Sequence, residues 1–173
     1  MITEKSVIRC ESVFSDDKAY RYLLVKTWDK SKPAATVISI SPSGFYNVES
    51  DNTTMLIQNN LSKLGFGGME LVNLLAGINV DAKRLKSIAE EVGDENDSFI
   101  VESVKRTAFT VLAWGKISNV NKLFEIREKE VLELLEPYTD KIKVISDCTG
   151  RECLHPLTPS VRNEWFLCPF KAD

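Results

Sequence analysis

The sequence lacks the features that identify several broad classes of protein. Its 173 residues contain no apolar run of about 18 or more, the length that a membrane span needs, so no membrane partner is expected. The first residues, MITEKSVIRCES, have no apolar stretch typical of a signal peptide, which predicts a cytoplasmic protein. The net charge of -3 disfavours a strong non-specific binder of polyanions, because such proteins carry a basic surface. A single nucleotide or a short single strand remains compatible with this charge.

Histidine and closely spaced cysteines are also scarce. The chain has one histidine, His155, and four cysteines, Cys10, Cys148, Cys153 and Cys168. A metal site built from the last three cysteines and His155 is one interpretation. Structural zinc usually shows a Cys-x-x-Cys pair, and none is present. We therefore expect free, partly buried thiols, with no bound metal and no cofactor.

The composition and patterning of the chain predict one α/β domain over residues 1–173. The hydrophobic content of 43% is enough for a full-sized core, and no repeat, linker or low-complexity segment divides the chain. Apolar segments with strand character alternate with segments of helical spacing. The predicted strands are residues 20–28, 35–40, 69–76, 109–114 and 141–146. The predicted helix starts are Thr53 or Thr54, Asp81, Asp94 and Ser118.

This alternation predicts a three-layer α/β/α sandwich with a mostly parallel, four-stranded central sheet. An N-terminal antiparallel strand or hairpin should accompany that sheet. The link between residues 20–28 and 35–40 is too short for a parallel crossover. We therefore expect these two strands to be antiparallel neighbours.

Four polar segments should meet where the parallel strands end, which is where open α/β folds bind ligands. They are Ser41-Pro42-Ser43-Gly44, Asn73, Trp114-Gly115 and the loop that begins at His155-Pro156. The side chain of Asn73 offers donors and an acceptor that suit the edge of a nucleobase. The alternative is a buried asparagine that is satisfied by neighbouring backbone.

The other candidate residues also have two interpretations each. His155 is held by a proline-rich loop and can donate a hydrogen bond to a developing anion, or it can simply face solvent. Phe45 and Tyr46 can stack on a ring or pack their own loop onto the domain. Asp51 can present a carboxylate to the cleft or cap the helix that follows it, and the cap is the favoured interpretation. Trp114 is expected in the core, with a tight turn at the glycine after it.

Six segments, taken in order, resemble an uncharacterised family known as domain of unknown function 1643. They are YRYLLVKTW, ISISPSGFYNVESDNTT, LSKLGFGGMELVNLLA, EEVGDENDSFI, VLAWGK and CLHPLTPS. Together they cover nearly the whole chain.

The same segments are similar, more distantly, to the uracil-DNA glycosylase superfamily. The resemblance implies that Ser41, Pro42 and Ser43 belong to the motif that positions water and contacts the substrate. It implies that Asn73 reads the base and that His155 stabilises the departing base. The implied partner is a nucleobase, a nucleotide, or a single-stranded or flipped nucleic acid.

One departure from that superfamily leaves two hypotheses open. The position that holds Asp or Asn in glycosylases is Ser41 here, and a serine cannot serve as a carboxylate base. With Asp51 in its place, the protein would cleave the N-glycosidic bond of a modified base. Without such a replacement, it would be a non-catalytic module that binds a nucleotide or a protein partner.

Overall fold

The computed structural model describes residues 1–45 and 47–171. Its strands are β1 (Arg9–Phe14), β2 (Arg21–Thr27), β3 (Ala34–Ser39), β4 (Gly68–Asn73), β5 (Phe109–Leu112), β6 (Ile142–Ser146) and β7 (Phe166–Pro169). Its α-helices are α1 (Asn52–Lys63), α2 (Ala89–Val92), α3 (Asn96–Arg106) and α4 (Leu123–Leu134). Short 3-10 helices cover Ile117–Asn119, Glu136–Lys141 and Pro159–Val161. None of the helices in these ranges is long and apolar enough to cross a membrane.

The strands form one sheet in the order β1-β2-β4-β3-β5-β6-β7. Neighbours from β4 through β3 and β5 to β6 pair in parallel. The pairs β1–β2, β2–β4 and β6–β7 are antiparallel. The mixed α/β class is therefore confirmed, but the sheet has seven strands and is larger than predicted. The last strand, β7, lies in a segment for which the sequence pattern gave no strand prediction.

The prediction that β2 and β3 are antiparallel neighbours is wrong, because β4 lies between them. Gly68 at the start of β4 is opposite Thr27 on one side and Ala34 on the other. The short β2–β3 link therefore crosses the width of one strand. It does so over Gly67, where a Cβ atom would lie 1.9 Å from the carbonyl oxygen of Asp29. A short link excludes a parallel pair, but it does not require the two strands to be neighbours.

Residues that alternate along the central strands pack into two apolar clusters. Val37 of β3 and Leu71 of β4 pack with residues of α1, such as Ile57. The next residues along the same strands pack with residues of α3 and α4 instead. Successive strand side chains point to opposite faces, so the clusters lie on the two faces of the sheet. This packing leaves the carboxyl ends of β3 and β4 free for polar groups.

The helix predicted to begin at Asp81 does not form. The Asp81 side chain accepts a hydrogen bond from the backbone N–H of Lys83, a local turn that competes with a helix. The side-chain amide of Asn121 donates to the carbonyl oxygens of Ala82 and Leu85, which an ordinary helix would use internally. Only α2 remains helical in this stretch. Tertiary hydrogen bonds thus override the apolar spacing on which the prediction relied.

The other helix starts also differ from the predictions by a few residues. The N-cap of α1 is Asp51, two to three residues before the predicted caps. The helix predicted from Ser118 is divided into a 3-10 turn, Ile117–Asn119, and α4. The helix expected from Asp94 corresponds to α3.

Candidate functional site

A cleft of about 530 Å³ opens at the carboxyl ends of β3 and β4. Six of the residues predicted for the site line it. They are Ser41, Pro42, Ser43, Asp51, Asn73 and His155. Residues far apart in the chain meet here because the two strands are parallel neighbours, with Ser39 in register with Asn73.

The loops that follow β3 and β4 are bound to each other at the cleft. The backbone N–H of Asn79 donates to the carbonyl oxygen of Pro42 over 2.9 Å. In return, the backbone N–H of Gly44 donates to Oδ1 of Asn79 over 2.8 Å. Asn79 has a φ of 61°, a left-handed conformation that asparagine tolerates better than most residues. These reciprocal bonds hold the Ser41–Ser43 wall of the cleft in a defined position.

Asp51 both caps α1 and lines the cleft, so the two interpretations of this residue are compatible. Its Oδ1 accepts a hydrogen bond from the backbone N–H of Thr54, at 2.9 Å. Its Oδ2 accepts hydrogen bonds from the hydroxyls of Ser43, at 2.5 Å, and Thr54, at 3.0 Å. Burial acts to raise the pKa of Asp51, but these hydrogen bonds outweigh it and hold the pKa below its usual range. The cleft therefore contains an ionised carboxylate at neutral pH.

Asn73 is the last residue of β4, and its side chain is buried with only 1% exposure. Its Nδ2 atom has no hydrogen-bond partner among the described residues. The alternative that neighbouring backbone satisfies this amide therefore does not hold for its nitrogen. A buried donor without a partner is unfavourable, so a native protein keeps one where a ligand or water completes it.

One ring nitrogen of His155 is bonded to the protein, and the other makes no hydrogen bond to a described residue. Its Nδ1 accepts a hydrogen bond from the backbone N–H of Leu157 over 3.1 Å. Nδ1 can accept only when it carries no proton, so the proton of the neutral ring is on Nε2. Burial lowers the pKa of His155 and the charge of Asp51 opposes that shift, with a net lowering. At neutral pH His155 is accordingly a neutral hydrogen-bond donor through Nε2.

Two features position the His155 loop. Gly115 has a φ of 68°, and a Cβ atom there would lie 2.9 Å from the Cβ of His155. Behind the loop, the buried carboxylate of Asp147 accepts hydrogen bonds from Thr149, Arg151 and Ser160. The Thr149 hydroxyl makes the largest contribution to holding the pKa of Asp147 well below its usual range. Asp147 therefore remains an ionised anchor for the loop at all ordinary pH values.

Arg21 is a cleft residue that the sequence prediction missed. It is the first residue of β2, is only 1% exposed and lines the cleft. One guanidinium nitrogen donates to the carbonyl oxygens of Ser43 and Phe45, at 3.4 and 2.9 Å. Its only sequence signal is a basic residue next to an apolar run, which is common at strand ends.

The structure does not bring every predicted residue to the cleft. Phe45 is 51% exposed and is not among the lining residues. Its contribution is the backbone carbonyl that binds Arg21. Tyr46 lies outside the described residues. Trp114 is buried in the apolar core, as expected, and the glycine after it adjoins the His155 loop.

The cysteines do not assemble around the histidine. None of the four, all of which lie within the described residues, forms a disulfide: Cys148 is exposed, and Cys10, Cys153 and Cys168 are partly buried. Within residues 1–45 and 47–171, no group of three or more His, Cys, Asp and Glu side chains is arranged to hold a metal ion. The Cys168 thiol instead contacts the hydroxyl of Ser146 at 3.1 Å.

Comparisons with known proteins place the chain in a family. No curated protein and no solved structure matches it. A family model described as "Protein of unknown function (DUF1643)" matches residues 21–157. The match covers most of the chain, from the start of β2 to the loop that holds His155. The chain therefore belongs to the DUF1643 family, whose function is unknown.

Proposed function

We propose that the cleft binds a nucleobase and that Asn73 recognises its hydrogen-bonding edge. The observation that carries this proposal is the buried Nδ2 of Asn73, which lacks a protein partner and belongs to a lining residue. A nucleobase offers acceptors and donors in one plane, which an asparagine side chain can meet with two hydrogen bonds. Binding would supply the partner that the amide lacks.

The size and chemistry of the cleft support a small polar ligand. Its volume of about 530 Å³ lies within the usual range for sites that bind small molecules. Apolar side chains, such as Leu71, Val80 and Leu157, share the lining with the polar groups. A flat, partly apolar ring with polar edges is complementary to such a surface.

The reaction that we propose for these groups is hydrolysis of an N-glycosidic bond, the chemistry implied by the distant resemblance of the motif order to the uracil-DNA glycosylase superfamily. Water adds to C1′ of the sugar while the C1′–N bond breaks, and the bonding electrons leave with the base. Nε2–H of His155 would stabilise the departing base anion. Asp51 would stabilise the oxocarbenium-like sugar by its charge, since its low pKa makes it a weak base. The Ser41 hydroxyl would orient the water, whose released proton passes to solvent.

A second candidate function is a binding module without catalysis. The observation that favours it is that both oxygens of Asp51 already accept hydrogen bonds from Ser43 and Thr54. A carboxylate used as a helix cap has limited capacity to orient water as well. In this alternative, the same cleft holds a nucleobase or nucleotide and releases it unchanged.

A panel of natural and modified bases, nucleosides and oligonucleotides tests both functions. Thermal shift and calorimetry would measure binding, since a ligand of the native state raises its stability. Chromatography would detect any released base. We expect stabilisation by at least one base-containing ligand, with His155→Ala and Asn73→Ala each reducing base release strongly while the fold persists.

The controls separate the two functions. Binding with base release supports the hydrolase, and binding without release across the panel supports the binding module. The surface variant Lys105→Ala, at a position that does not line the cleft, should behave like the wild type. If no base-containing ligand stabilises the protein, nucleobase recognition is wrong.

A further inference from the structure

The charge of Arg21 is buried without a direct ionic partner. None of the ion pairs among the described residues includes it. Its Nε is buried and lacks a hydrogen-bond partner in the described part of the chain. Six buried polar side-chain atoms there lack partners, and only Nε of Arg21 and Nδ2 of Asn73 belong to residues that line the cleft. The unpaired donors in the cleft thus include both a neutral group and a cationic one.

The other fully buried arginine shows how this fold compensates a structural cation. The side chain of Arg127 is 2% exposed, and it forms ion pairs with Asp97 and Glu130. Its Nε also donates to the carbonyl oxygen of Leu74. Among the described residues, Arg21 donates hydrogen bonds only to carbonyl oxygens, although an uncompensated buried charge is strongly unfavourable. The charge of Asp51 acts on Arg21 only without a direct ion pair, so this contrast leaves Arg21 able to bind a further anion from outside the chain.

Strand order places Arg21 beside the proposed base-recognition residue. β2 runs antiparallel to β4, with Leu24 opposite Leu71, so β2 begins where β4 ends. The backbone N–H of Arg21 donates to the carbonyl oxygen of Ala76, just beyond Asn73. Neighbouring strands are about 4.8 Å apart, so one small ligand can reach both side chains.

The charge state of Arg21 is suited to an anion. Burial lowers the pKa of Arg21 to about 10, and the charge of Asp51 opposes that shift. Arg21 therefore stays protonated at neutral pH. The oxygens of Asp51 are already bound to Ser43 and Thr54, which leaves the unpaired Nε for another acceptor.

We propose that Arg21 recognises a phosphate group and that the ligand of the cleft is a nucleoside monophosphate. This inference rests on the proposed function, because Asn73 is taken to hold the base of the same ligand. A guanidinium group matches the geometry of a phosphate with paired hydrogen bonds. The hydroxyl-bearing residues Ser39 and Ser41 also line the cleft and can donate to phosphate oxygens. The net charge of -3 favours one phosphate over a polymer of them.

Calorimetric titration of matched ligands tests the proposal on the intact chain. The probes are the four common ribonucleosides, their 5′-monophosphates and inorganic phosphate. A hydrogen bond to a charged group corresponds to about a tenfold to hundredfold gain in affinity. We expect the bound monophosphate to exceed its nucleoside by that factor. Arg21→Met should abolish the advantage, while Arg21→Lys should keep part of it.

The control Arg106→Met removes one positive charge from a surface ion pair with Glu70 and should preserve the advantage. Equal wild-type affinities for nucleoside and monophosphate would overturn the phosphate assignment alone, and would leave base recognition intact. The phosphate assignment would also be overturned if a single-stranded nucleic acid bound more tightly than any monophosphate, with a salt dependence of its affinity that corresponds to several phosphate contacts. If neither nucleosides nor monophosphates bind, this inference is wrong, whereas the proposed function fails only if the wider panel of bases and oligonucleotides also shows no binding. The wild-type comparison needs no variant, so a misfolded Arg21→Met protein would not prevent a decision.

Discussion

Replacement of Asp51 separates its role as a helix cap from its role as a charge. In Asp51→Ala, three hydrogen bonds from Ser43 and Thr54 are lost. Loss of an N-cap costs about 1–2 kcal/mol, and in a chain of this size each kcal/mol lowers the Tm by about 2–4 °C. We therefore expect the Tm to fall by about 2–8 °C. Asp51→Asn keeps an equally good cap, so its loss should stay below about 1 kcal/mol.

The pH dependence of the same variants gives an independent check. The pKa of Asp51 is lowered in the folded protein. Its charge therefore contributes stability above the unfolded pKa of about 3.9, and that contribution is lost as pH falls through the folded pKa. The stability difference between wild type and Asp51→Asn should shrink as the solution is acidified from about pH 5. Urea denaturation across this range measures it. Equal losses for the Ala and Asn variants, or a difference that persists in acid, would refute the assignment of Asp51 as a charged cap.

Three further predictions concern the His155 loop. His155 is the only histidine, so its proton NMR signal can be followed directly as pH is changed. The titration should give a pKa below the usual 6.5, and Asp51→Asn should lower that pKa further. A raised pKa would contradict the burial of His155. Gly115→Ala should displace His155 and lower the free energy of unfolding by about 1–2 kcal/mol, because alanine is unfavourable in the left-handed conformation of this residue. A shifted histidine signal and a lower Tm would report these effects. An unchanged histidine signal would contradict the predicted displacement. Asp147→Asn should loosen the loop at neutral pH, because the strongly lowered pKa keeps the wild-type anchor ionised and bound there. Limited proteolysis measures this, and equal cleavage of wild type and variant would contradict it.

The cleft could be located from the sequence because polar residues at the ends of parallel strands converge for geometric reasons. Asn73 follows an apolar run, and the Ser41–Ser43 turn follows another, so their meeting required only that the strands be parallel. The sequence did not show which buried polar groups lack partners. That property of Asn73 depends on surroundings contributed by distant segments.

Arg21 was missed for a reason of topology. Arg21 lies at the beginning of its strand, whereas the site was predicted from polar residues at the ends of strands. Only the antiparallel pairing of β2 with β4 brings this beginning to the cleft. That pairing was hidden because the short β2–β3 link suggested that the two strands were neighbours. An error in the predicted strand order thus concealed a buried cation that lines the cleft.

Other differences arise where hydrogen bonds over long sequence distances compete with local preference. Asn121 holds the carbonyl oxygens of Ala82 and Leu85, and no helical pattern within residues 81–88 reveals this. Asp51 caps α1 and also lines the cleft, because the hydroxyl of Ser43, in the same β3–α1 segment, donates a hydrogen bond to its second carboxylate oxygen. The two interpretations weighed for Asp51 were therefore not exclusive.

The side-chain amide signal of Asn73 gives the most direct test of nucleobase recognition. In the ¹⁵N–¹H spectrum, this signal can be assigned by its absence in Asn73→Leu. We predict that a bound base or nucleotide shifts this signal, with the same Kd as calorimetry. We also predict that Asn73→Leu folds at least as stably as wild type, because a buried donor without a partner is removed. Ligand binding that leaves the Asn73 amide signal unchanged would contradict nucleobase recognition by Asn73.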